Sequence, residues 1–264
     1  MRITTLVENS ISRSELTAEH GLSLWIEWAE GCLLFDAGQT EAFADNAARL
    51  GIRLSRAECM VLSHGHYDHG GGLQRFLAEN SQAPVYLSRY ALEPHYHGAE
   101  KNIGLDPAWA ACDRLCWVDG NRTIAPGMTL LSLNGQTLAE PVEPFGLQMG
   151  RPPRLKPEDF RHEQYLMLQE GTQRVLFSGC SHKGIINIAE AYAPDVLVGG
   201  FHLSKLDPAQ PEHRARLEEV ARRLLALPTV YYTCHCTGDG AYAFLKARMG
   251  KWLHRLRTGD IISL

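Results

Sequence analysis

His64-Gly65-His66-Tyr67-Asp68-His69 follows directly on the apolar run Cys59-Met60-Val61-Leu62-Ser63, and Gly70-Gly71-Gly72 closes it. The run before it has the length and residue types of a buried strand. Four ligand-capable side chains then fall within six positions. A spacing of two puts His64 and His66 on one side of an extended segment, and a turn at Asp68 swings Asp68 and His69 toward a second ion. The glycines let the backbone leave sharply before a helix that begins near Leu73. An isolated histidine is ordinarily a solvated or core residue, but imidazoles and a carboxylate at these spacings after a strand form a metal-site pattern, suited to zinc, iron or manganese.

The rest of the chain sets the frame for that site. Its 264 residues suffice for one large domain or two small ones with a buried centre. Twenty-six Lys and Arg against thirty Asp and Glu give a net charge of −4 with no long block of either sign, so neither a nucleic acid nor another polyanion is an expected partner. No signal-like start and no window of ~20 apolar residues is present, so the expectation is a soluble cytoplasmic protein that uses no membrane and acts on a small molecule. Seven scattered cysteines read as reduced thiols rather than as a disulfide framework.

Short apolar runs alternate with amphipathic segments, which predicts layered α/β structure. Strands are expected at 22–28, 32–35, 59–63, 165–168, 174–177, 196–198 and 229–233. Helices are expected at 41–50, 73–80, 185–191, 212–227 and 240–249. No linker divides the chain, so residues 1–264 read as a single domain, with a loop-rich stretch at about 91–157 laid over one face. A weak repeat relates Leu22-Ser23-Leu24-Trp25 with Leu33-Leu34-Phe35-Asp36 to Tyr165-Leu166-Met167-Leu168 with Val175-Leu176-Phe177-Ser178. Two similar halves packed face to face would explain it, although two unrelated hairpins can look this alike. The strands ending at Phe177, Val198 and Thr233 are each followed by ligand-capable groups: Cys180 and His182, then His202, then His235. Active sites of α/β folds gather beyond strand ends.

The motif resembles the signature of the metallo-β-lactamase superfamily, which implies an αββα sandwich of two mixed sheets flanked by helices, with a one- or two-metal site at the sheet edges. His66 stands where the redox-active flavodiiron branch typically has Glu, so the resemblance implies hydrolytic chemistry. Further blocks are similar to the 7,8-dihydropterin-6-methyl-4-(β-D-ribofuranosyl)aminobenzene-5'-phosphate synthase-like family. They are Leu6-Val7-Glu8-Asn9, Glu19-His20-Gly21-Leu22-Ser23, Leu34-Phe35-Asp36-Ala37-Gly38-Gln39, Ser178-Gly179-Cys180-Ser181-His182-Lys183-Gly184-Ile185, Gly199-Gly200-Phe201-His202-Leu203 and His235-Cys236-Thr237-Gly238.

The resemblance implies two divalent ions, zinc first with iron or manganese as alternatives. His64, His66 and His182 would serve one, and Asp68, His69 and His235 the other. Relatives usually carry a bridging Asp where this chain has Ser178-Gly179-Cys180, so either Cys180 binds as thiolate or His182 takes over. The remaining family slot falls near His162-Glu163, either of which could fill it or be a solvated residue. Asp68 and His202 are the catalytic candidates, with Tyr67, His20, His202 and Lys101 as substrate contacts. His95 and His97 lie nearby with Arg89, open to an anionic substrate or simply solvated. Cys234 and Cys236 read as packing residues, and Cys112 and Cys116 as neighbours on one helix face.

The expected activity is hydrolysis of a small, anionic ester, phosphoester, lactone or thioester by a metal-bridged hydroxide that Asp68 orients. The alternatives are a dihydropterin-type transferase that releases diphosphate, and a metal-dependent ligand sensor without turnover.

Overall fold

The computed structural model describes residues 1–264. One seven-stranded sheet holds β1 (Arg2–Val7), β2 (Ser23–Trp28), β3 (Gly31–Phe35), β4 (Cys59–Val61), β5 (Val85–Ser88), β8 (Leu115–Val118) and β18 (Ile261–Ser263). A second holds β9 (Arg122–Ala125), β10 (Met128–Leu131), β13 (Tyr165–Glu170), β14 (Gln173–Gly179), β15 (Val196–Gly199), β16 (Val230–Thr233) and β17 (Leu253–Arg255). A small third sheet is built from β6 (His95–His97), β7 (Lys101–Asn102), β11 (Leu147–Arg151) and β12 (Arg154–Pro157). The helices are α1 (Ala42–Arg49), the single turn α2 (Tyr67–Gly70), α3 (Leu73–Glu79), α4 (Ile185–Tyr192), α5 (Pro211–Leu225) and α6 (Asp239–Met249).

The strand order β18-β1-β2-β3-β4-β5-β8 faces β17-β16-β15-β14-β13-β10-β9. Side-chain alternation sorts each strand between two cores. On β3, Leu33 and Phe35 enter the core between the sheets while Cys32 and Leu34 pack outward with Phe43 of α1 and Phe76 of α3. On β14, Val175 and Phe177 enter the same middle core while Leu176 packs outward with α4 and α5. Helices therefore cover both outer faces of a two-sheet sandwich, the expected αββα arrangement. No helix is long and apolar enough to cross a membrane.

The repeat corresponds to two equivalent hairpins. Leu24 pairs with Phe35 across β2 and β3, and Leu166 pairs with Phe177 across β13 and β14. Each hairpin continues into parallel strands, β3-β4-β5-β8 and β14-β15-β16-β17. The two equivalent phenylalanines meet in the middle core with ring centroids 5.7 Å apart.

Three expectations change. Within 91–157, β8, β9 and β10 are integral strands of the main sheets, and only β6, β7, β11 and β12 form the separate layer. Cys112 ends a 3-10 turn and Cys116 lies on β8, so the two do not share a helix face. The strand expected to run to Ser63 ends at Val61, because the Ser63 N–H turns to donate to the Asp36 carboxylate.

Candidate metal centre

The parallel strands point their C-terminal ends toward one edge. β3 leads to Asp36, β4 to His64, β14 to Cys180, β15 to His202 and β16 to His235. Asp36, Ser181, His202 and His235 all have positive φ, from 48° to 60°, a region costly for residues with a Cβ and concentrated at functional sites. The chain thus bends sharply where each strand delivers its side chain. Gly179, at φ 64°, is required for another reason, since a Cβ there would lie 2.6 Å from the Ser63 Cβ.

The hydrogen bonds fix which nitrogen each ring presents. Asp36, fully buried, accepts from the Ser63 N–H at 2.7 Å, from the Ser63 hydroxyl at 2.7 Å and from His69 Nδ1 at 2.6 Å. With its proton given to Asp36, the Ser63 hydroxyl can only accept from His64 Nδ1, 2.8 Å away. His235 Nδ1 lies 2.8 Å from the Asn9 side-chain carbonyl oxygen, an acceptor, so it too carries the proton. The rings of His64 and His235 are therefore left with lone pairs on Nε2, and His69, held through Nδ1 by Asp36, turns its Nε2 toward the same point.

These nitrogens converge. His64 Nε2 lies 3.2 Å from His182 Nε2, His69 Nε2 lies 3.3 Å from His235 Nε2, and Cys180 Sγ is 3.1 Å from His69 Nε2. Asp68 Oδ2 sits 3.3 Å from His235 Nε2 and 3.2 Å from His20 Nε2. Two donors at ~2.0–2.1 Å from a tetrahedral ion lie about 3.3 Å apart, which matches these separations of 3.2 and 3.3 Å. The donors group as His64, His66 and His182, as His64, His69 and Cys180, and as His20, Asp68 and His235. The residues present fit divalent metal on both donor chemistry and spacing.

Electrostatics point the same way. Burial, reinforced by neighbouring histidines, holds His64 and His182 well below the ordinary imidazole range, which keeps them neutral. Burial also opposes ionisation of Asp68, but a hydrogen bond from His20 and the neighbouring charge on His69 outweigh it and hold the carboxyl well below its usual value. For His69, burial disfavours the charge, yet the Asp36 carboxylate prevails and raises it to about 9, so the free ring is protonated at neutral pH and a bound ion would displace the Nε2 proton. Burial pushes the Cys180 thiol up, so a thiolate there needs a cation beside it.

Each candidate now has a position. His162 and Glu163 stand behind the converging donors: His162 Nδ1 accepts from the Gly65 N–H at 2.8 Å, and Glu163 accepts from the N–H groups of His182 and Lys183. The ring of His182 stacks on Phe160 at 4.6 Å. His202 lies 4.2 Å from His182 with both ring nitrogens unpartnered. Lys101 donates to the Tyr67 hydroxyl at 3.2 Å and lies over its ring.

A cavity of about 340 Å³ opens above the donors, with Lys101, Lys205 and His97 in its lining and Asp68 as the single acid. His95 is fully buried against Glu158, and Arg89 pairs outward with Asp119. Cys234 packs in the middle core as expected, whereas Cys236 lines the cavity and groups with Cys180 and His235 as a further donor set. Sequence reading missed Asp36, Ser63, Asn9 and Glu158. For Asp36 a signal existed, since it occupies the place in the first hairpin that Ser178 holds in the second.

The family model for the metallo-beta-lactamase superfamily matches residues 16–235. The 7,8-dihydropterin-6-methyl-4-(beta-D-ribofuranosyl)-aminobenzene-5'-phosphate synthase of Methanocaldococcus jannaschii is 26% identical over 99% of this chain and 96% of its own length. The crystal structure of Tm1679, a metal-dependent hydrolase of the beta-lactamase superfamily, superposes with a TM-score of 0.79 at 28% identity, covering 100% of this chain and 99% of that one. Zn(2+)-bound PqqB from Methylobacterium extorquens shares the fold, with a TM-score of 0.62 at 12% identity over the whole of both chains.

Proposed function

The chain belongs to the metallo-β-lactamase superfamily, and on that premise we propose that it is a metal-dependent hydrolase of a small anionic ester, phosphoester, lactone or thioester. The observation that carries this reading is the convergence of imidazole nitrogens, a carboxylate and a thiol beneath a cavity with a cationic lining. Divalent ions held by His64, His66 and His182 and by Asp68, His69 and His235, zinc first among them, would polarise the scissile group and acidify a water toward a pKa of ~7.

The protein's own groups do the rest. Asp68, ionised at neutral pH and braced by His20, accepts the O–H of the attacking water and orients it. His202, with two unpartnered ring nitrogens, hydrogen-bonds a substrate oxygen. Lys101 and Lys205 attract the anionic group, and Ile103, Phe145 and Leu147 exclude water from the remainder of the substrate.

The similarity of this chain to the M. jannaschii synthase over nearly its whole length supports a second reading, transfer with loss of diphosphate. Metal analysis with turnover assays across ester, phosphoester, lactone and thioester panels tests the first. It predicts bound divalent metal and hydrolysis that disappears in His66→Ala; a metal-free wild type or a fully active variant refutes it. Diphosphate release from a pterin donor without hydrolysis of the panels would favour the transferase.

A further inference from the structure

Behind His66, on the side away from the cavity, lies a buried group that the proposed chemistry leaves unused. Glu158 is 4% exposed as a residue, with its side chain fully enclosed. Its ion-pair partners are three imidazoles, those of His66, His95 and His162, with no Lys or Arg among them. A buried carboxylate without a cationic partner must be held by hydrogen-bond donors or by a metal ion.

The proton positions decide between these. His162 Nδ1 accepts from the Gly65 N–H, so in the neutral ring the proton is on Nε2, which lies 3.3 Å from Glu158 Oε1. A nitrogen carrying that proton has no lone pair for a metal. His95 Nδ1 lies 2.9 and 3.0 Å from the two carboxylate oxygens, a forked donor. His66 turns Nε2 toward Oε2 at 3.8 Å, longer than a hydrogen bond, and this buried nitrogen has no other partner; its ring is clasped by those of His95 and His162 at 5.5 and 5.0 Å.

We propose that Glu158 is a positioning residue for the metal centre: it holds the His66 proton on Nε2, which leaves Nδ1 as the donor atom presented to the ion. His95 takes the other lone pairs of the carboxylate through Nδ1, and the neutral ring of His162 turns Nε2 to it at 3.3 Å. They leave its negative charge in place behind His66, which makes that imidazole a stronger ligand. An arginine in their position would cancel the charge. Because His162 also takes the Gly65 N–H, the same hub ties down the backbone between His64 and His66. This rests on the proposed metal-binding role of His66, though not on any particular substrate.

Two measurements test it. Long-range 1H–15N correlation on the zinc-loaded wild type is expected to find His66 and His162 protonated at Nε2 and His95 at Nδ1; an unprotonated His66 Nε2 overturns the proposal. Zinc titration against a competing chelator is expected to show Glu158→Gln weakening one ion by about 10–100-fold, with the other unchanged and partial recovery in Glu158→Asp. Affinities unchanged in Glu158→Gln overturn the proposal, as does a further zinc ion in the wild type that the variant loses. A wild type that takes up no zinc overturns the hydrolase reading itself, whereas zinc binding without hydrolysis leaves the hub intact.

Discussion

Asp36→Asn isolates one carboxylate charge at the heart of the centre. Asn has nearly the shape of Asp and tolerates the φ of 56° at this position, so backbone strain is not introduced. The Ser63 N–H, buried in the sandwich, retains its claim on the side-chain oxygen, since an unmade backbone hydrogen bond costs about 1–3 kcal/mol. The new NH2 must then occupy the Oδ2 position, facing both the Ser63 hydroxyl and His69 Nδ1. With an ion bound, donor opposes donor unless His69 carries its proton on Nε2, the nitrogen that would bind the metal. Hydrogen bonds to charged groups contribute roughly 1.5–3 kcal/mol, and loss of such an outer carboxylate weakens metal binding about 10–100-fold. Competition with a chelator should show that loss for the ion served by His69, with circular dichroism confirming an unchanged fold. Full-affinity binding of both ions by a folded Asp36→Asn protein would refute the tautomer argument.

The same pair makes the stability of metal-free protein depend on pH. His69 is raised from 6.5 to about 9, so its contribution is complete below pH 6.5 and is lost as pH rises through about 9; urea midpoints should fall across that window, and less so in Asp36→Asn. Gly65→Ala places a Cβ 2.8 Å from the Ala91 carbonyl carbon and 3.0 Å from its Cα, so overpacking of about 1–3 kcal/mol and weaker metal binding are expected by urea melts and titration. Unchanged stability and affinity in the Gly65→Ala variant would contradict the close approach. Phe177→Ala opens the core between the sheets where Phe177 meets Phe35, and should cost about 3–5 kcal/mol; a loss below about 1 kcal/mol would mean that the equivalent hairpins do not share that contact.

Elements with a clean periodic signal were legible. The strands around Leu33, Leu166, Val175 and Leu197 and all five helices longer than one turn fall within two residues of their expected bounds. The strands without a separate signal explain themselves. β1 is buried from Ile3 to Val7 with Thr4 and Thr5 inside, so polar residues interrupt the run that burial would otherwise produce. β18 is a three-residue edge strand with exposed Ile261, too short for any alternation to register. β17 is equally short and is defined only by its pairing with β16.

At the site, the chain of residues from His64 to His69 declared its chemistry because its ligand types and spacings are local. So did the Cys180, His182, His202 and His235 positions, each standing just past a strand end. What tertiary structure alone decided is which nitrogen each ring presents and which residues stand behind the rings. Those partners come from far along the chain: His69 is held by Asp36 at a separation of 33 residues, Gly65 by His162 at 97, and His235 by Asn9 at 226. Local periodicity reports burial and secondary structure, but a proton's position is set by whichever donor or acceptor the fold brings opposite it.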